Sequence, residues 1–71
     1  MDNNTKDMVA RSLNNPKSLT DEERDVIATQ WMFYWYNGVR ASWVDIIHKG
    51  KRVARAVKNK LYNTEYNIKW I

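Results

Sequence analysis

The sequence predicts an all-α fold: a small three-helix domain with a central aromatic helix, a long basic amphipathic helix and an extended C-terminal segment. Three observations carry this. Thr20-Asp21-Glu22-Glu23 reads as a capping box that opens a helix. That helix runs into Trp31-Met32-Phe33-Tyr34-Trp35-Tyr36, which holds five of the chain's nine aromatic residues. From Trp43 to Leu61 the apolar positions step by three or four, the period of one helical face. The alternative is an α+β fold with a hairpin at Asn37-Gly38.

The first helix is expected over about residues 5–14. Asn4 or Thr5 caps it, and Asp7 stands in its first turn. Met8, Val9 and Leu13 share one face. Asn14-Asn15-Pro16 ends it, because a residue before proline is pushed out of the α region. So short a helix is weak alone and must lay its apolar edge on something else.

The second helix is expected over about residues 21–37. Thr20 caps the amide of Glu23, and the Glu23 side chain reaches back to Thr20. Asp21, Glu22 and Glu23 sit at the positive end of the helix dipole. The aromatic block would surround this helix with apolar side chains, which suits a central element. Asn37-Gly38 then has two readings. It closes a helix with Gly38 in the left-handed region, or it turns a hairpin between apolar strands. Aromatic and β-branched neighbours favour strand. The capping box favours helix, and an isolated hairpin is unstable without further strands.

The third helix is expected over about residues 42–62, opened by Ser42-Trp43-Val44-Asp45, a cap signature of the [ST]-x-x-[DE] type. Its apolar face runs Trp43, Ile46, Ile47, Gly50, Val53, Ala54, Val57, Leu61. The phase survives Gly50, so one helix is expected, although a C-cap at Gly50 is the competing reading. The opposite face is cationic. In the tail, residues 63–71, Tyr66, Ile68 and Trp70 alternate with polar residues at a period of two. An extended segment docked on the chain's own core is expected, with addition to a partner's sheet edge as the alternative.

The chain of 71 residues is read as one domain, 1–71, at a size where only about 60% of the unfolded surface is buried. It has no cysteine, which excludes a disulfide and a thiolate metal site. The polar start, Met1-Asp2-Asn3-Asn4, does not read as a signal peptide. The longest nearly apolar run falls far short of the roughly 20 residues a bilayer needs. A cytoplasmic protein, intracellular and not secreted, is expected, and membrane binding is not.

The net charge of +4 is unevenly spread: residues 1–37 hold four basic and six acidic side chains, residues 38–71 eight and two. Such asymmetry points to a polyanion. No nucleophile–base set, metal-loop spacing or phosphate-cradling glycine motif is present. The expectation is therefore a protein that is not an enzyme, with no catalytic residue, metal, cofactor or small-molecule substrate. The function expected is DNA or RNA binding of weak sequence specificity through phosphates. Arg40, His48, Lys49, Lys51, Arg52, Arg55, Lys58, Asn59 and Lys60 are its candidates. His48, the lone histidine, is read as a surface polar residue or phosphate contact. The alternative is a protein-binding inhibitor, adaptor or assembly subunit of phage or mobile-element type, possible also as a homo-oligomer. Its anchors would be Trp31, Tyr34, Trp35, Tyr66 and Trp70.

Overall fold

The structure, a computed structural model, describes residues 1–61 and 65–71. It is α+β. Helices α1 (Asn3–Asn14) and α2 (Asp21–Gln30) flank a 3-10 turn at Pro16–Ser18 and precede strands β1 (Trp31–Asn37), β2 (Ala41–His48), β3 (Lys51–Asn59) and β4 (Asn67–Trp70). The strands form one four-stranded antiparallel sheet in chain order. The all-α expectation is overturned, and with it the central aromatic helix and the long basic helix.

Helix α2 begins where the sequence places its start, at Asp21, whereas α1 is capped by Asp2 and not by Asn4 or Thr5. Asp2 caps α1 by accepting from the Thr5 amide at 2.8 Å, so the helix starts two residues before the expected Thr5. Both bonds of the Thr20–Glu23 capping box are present, at 3.1 and 2.9 Å. Glu23 also holds α1: the Arg11 guanidinium donates to its Oε1 at 3.1 Å and to its Oε2, and to Asp7 at 2.8 Å.

The capping box decides where α2 begins but not how far it runs. The helix stops at Gln30, and the Trp31 amide closes its last turn on the Ile27 carbonyl. From Trp31 the bulky aromatic side chains fit a pleated, half-buried surface. The objection from hairpin instability fails because β3 and β4 supply further strands.

The β1–β2 hairpin turns two residues beyond Asn37-Gly38, its tip at Val39-Arg40, closed by the Gly38 amide on the Ala41 carbonyl at 2.9 Å. Glycine at 38 serves space rather than φ: a Cβ there would lie 2.9 Å from the Ala41 oxygen and 3.2 Å from the Trp43 ring. The tight turn with positive φ is Lys49-Gly50, at 53° and 77°. Positive φ at both central residues marks a type I′ turn, whose twist matches antiparallel strands. Gly50 therefore breaks the expected 42–62 helix into β2 and β3, and Ser42 and Asp45 cap nothing. The end of that helix at Tyr62 and the start of the tail, residues 63–64, lie outside the described residues.

The core lies between the helices and one sheet face, where Val9, Trp31, Val44, Ile46, Ala54 and Ala56 are buried. Leu13, Val26, Ile27, Phe33, Tyr66, Ile68 and Trp70 pack against them. The outer strands β1 and β4 are about 14 Å apart, three strand spacings. Aromatic rings nonetheless meet across that gap. Trp31 meets Trp70 edge-on at 6.4 Å, and Trp35 meets Tyr66 at 5.8 Å. Alanine at 54 and 56 leaves β3 low enough for the rings to reach over it. The tail docks on the chain's own core, but as a strand of the sheet: β4 pairs with β3, Trp70 beside Ala54 and Ile68 beside Ala56.

Candidate nucleic-acid interface on the open sheet face

Strand alternation sends Trp31, Phe33 and Trp35 toward the helices and Met32, Tyr34 and Tyr36 to the other side. Register then assembles that other side from pairs: Met32 with Ile47, Tyr34 with Asp45, Tyr36 with Trp43 on β1–β2; Trp43 with Val57, Asp45 with Arg55, Ile47 with Arg52 on β2–β3; Arg55 with Lys69 and Val57 with Asn67 on β3–β4. Val9, Leu13, Val26 and Ile27 of the helices pack on the Ile46 side. This leaves the face open among the described residues except at one corner, where Ala28, Thr29 and Gln30 at the end of α2 line a cavity with Met32, Tyr34 and Ile47.

The face has an aromatic half and a basic half. On β1–β2, the Tyr36 and Trp43 rings stack at 5.6 Å and 16°, and Tyr34 beside them is half-exposed. On β3–β4, a groove of about 460 Å³ is lined by Arg55, Val57, Asn59, Asn67 and Lys69. Between the halves stands Asp45, almost wholly buried. Its carboxylate accepts from Arg55 Nε at 2.7 Å and from the other arm of that guanidinium at 3.4 Å, and Arg52 lies 3.8 Å away. The Arg55 hydrogen bond, aided by the charges of Arg55 and Arg52, holds the Asp45 carboxyl below its usual range against the opposing effect of burial. The pairing fixes the Arg55 fork while its remaining donors stay available to a planar or anionic group.

The structure divides the sequence-expected basic set. Arg52, Arg55 and Asn59 come together on the open face. Lys49 stands in the β2–β3 turn and Lys51 follows it. Arg40 is at the tip of the first hairpin, and the Lys60 ammonium, at that same end, donates to the Gly38 carbonyl at 2.7 Å. His48 and Lys58 belong to the helix side: His48 stacks on Trp31 at 4.3 Å, and the Lys58 ammonium sits 5.1 Å from the Tyr66 ring. Of the expected partner anchors, Trp31 is buried, Tyr66 and Trp70 pack in the core, and Tyr34 and Trp35 are exposed on opposite faces. Tyr36, Trp43, Asn67 and Lys69 were missed as members of the face. The signal was present in the alternation of Trp31–Asn37, which separates two aromatic sets once that segment is read as a strand.

Stacking rings, guanidinium groups, side-chain amides and the Lys69 ammonium on one surface can hold flat, anionic, hydrogen-bonding molecules. No protein-family model matches the sequence, and no curated protein or solved structure matches it at a significant level.

Proposed function

We propose that the protein binds single-stranded nucleic acid, without catalysis, on the open face of its sheet. The observation that carries this is the placement side by side, on one sheet face, of Tyr34, Tyr36 and Trp43 with Arg52, Arg55 and Lys69. Bases stack on aromatic rings whatever their identity, each contact contributing about 1–3 kcal/mol, while cations track the backbone. A duplex hides its base faces and cannot use the rings, so single strands are preferred. Sequence choice is weak, because Asn59 and Asn67 are the side-chain amides in the groove. The basic helix expected from the sequence has no part in this reading.

The test is binding of short single- and double-stranded DNA and RNA across a salt series. The expected outcome is a preference for single strands and a log–log salt slope of about −2 to −3, or three to four phosphates at about 0.7 each. Tyr34→Ala with Tyr36→Ala should weaken single-strand binding by tenfold or more and leave the slope unchanged. Lys69→Ala should flatten the slope. Absence of binding at low salt, or a preference for duplex that ignores the tyrosines, would remove the proposal.

A further inference from the structure

The sheet has two edges, and the fold treats them differently. At the β4 edge, α1 takes the backbone of the residue that leads into the strand: Asn14 Nδ2 donates to the Tyr66 carbonyl at 3.0 Å, and Asn14 Oδ1 accepts from the Tyr66 amide at 2.7 Å. Lys6 of the same helix lies over the Trp70 ring at 5.5 Å. Among the described residues, no side chain bonds the outer backbone of β1 in this way. The Gly38–Ala41 bond sets the phase of the ladder. Met32, Tyr34 and Tyr36 turn their backbone groups toward β2, so Trp31, Phe33, Trp35 and Asn37 turn theirs outward. Apart from the Trp31 amide, used by α2, none of these outward groups is bonded among the described residues.

A strand edge of this kind is a template for another strand, and proteins usually blunt it with charge, proline or a bulge. β1 has none of these. Charged residues make up 28% of the chain, yet none occurs in Trp31-Met32-Phe33-Tyr34-Trp35-Tyr36-Asn37. The sheet's register shift lies elsewhere, between β2 and β3.

We infer that the β1 edge is the seam of a symmetric homodimer, in which β1 pairs antiparallel with β1 of a second copy. A two-fold axis at Tyr34 sets Phe33 opposite Trp35 of the second copy and Trp31 opposite its Asn37, so outward groups meet outward groups, apart from the Trp31 amide that α2 already holds. The contact is self-complementary, as a two-fold interface must be. Its neutrality matters in a chain of net charge +4, since like charges directly opposite across a strand pair are destabilising. Trp35, 60% exposed, gains an aromatic cross-strand neighbour. Pairing also places the two open faces side by side in one continuous sheet. The inference does not rest on the nucleic-acid reading and is tested without nucleic acid.

Sedimentation equilibrium of the free protein over a micromolar series should give the mass of two chains. Amide exchange should show Phe33 and Trp35 protected at high concentration and losing that protection on dilution, while Tyr34 and Tyr36 stay protected throughout. Trp35→Pro removes an outward donor from an edge strand, a position that tolerates proline, and should give a folded monomer. A monomer across the series would overturn the inference. So would a dimer whose Phe33 and Trp35 amides exchange freely. Should Trp35→Pro fail to fold, the exchange pattern of the unsubstituted protein decides alone.

Discussion

Asp45 and Ala56 show how much single side chains decide here. Asp45 is the one acidic residue of β2, and it holds Arg55 in place at the middle of the open face. Asp45→Asn should free that guanidinium and add one positive charge to the face. Thermal melting should show a Tm lower by several degrees, and the salt slope of oligonucleotide binding should steepen by about 0.7. Ala56 acts on the other face, where it is fully buried beneath the rings that cross from β1 to β4. Ala56→Leu should lower stability by about 1–3 kcal/mol in denaturant titration, because the added atoms displace packed rings.

At the scale of elements, the β2–β3 turn gives the sharpest discrimination between the two fold readings. Were Gly50 inside a helix, Gly50→Ala would stabilise by about 1 kcal/mol. In a turn with φ of 77° it should destabilise instead, by about 1–2 kcal/mol, the strain of an L-residue in the left-handed region. An added Cβ meets no atom within 4 Å, so the loss is conformational and not steric. Gly50→Asn should be nearly neutral. Chemical denaturation of the two variants checks both the sign and the order.

For the whole molecule, the contact that ties α1 to α2 makes stability depend on acid. The Arg11 guanidinium, helped by the Thr20 amide, holds the Glu23 carboxyl at about 2 against an ordinary value of 4.5. The native state therefore binds fewer protons than the unfolded state between those values. This contribution is complete above pH 4.5 and is lost as pH falls toward about 2. Asp45, also held below its ordinary value, acts in the same direction. Melts from pH 7 downward should show stability falling below about pH 4.5, and Glu23→Gln should flatten the fall while lowering the plateau. Among the described residues, no helix is long and apolar enough to cross a membrane.

The sequence by itself determined what depends on near neighbours in the chain. The Thr20–Glu23 capping box, the stop at Asn14-Asn15-Pro16 and the period-two tail are local chemistry, and each stands in the structure. The charge asymmetry was also legible: β3 carries Lys51, Arg52, Arg55 and Lys58, and Arg40 and Lys49 stand on either side of β2, which itself has no Lys or Arg. What tertiary structure decided was the state of residues 31–59. β2 is apolar on both faces, with Trp43 and Ile47 toward the open side and Val44 and Ile46 toward the core, so it shows no alternation. The shift in register opposite Val53 then moves the phase of β3 by one residue, and the combined spacing imitates a helical stripe. A strand is stable only through its neighbours. Whether the aromatic block pleats or coils was therefore settled by β2, which pairs with it, by β3 and β4, which extend the sheet beyond β2, and by the ring contacts between β1 and the β4 side.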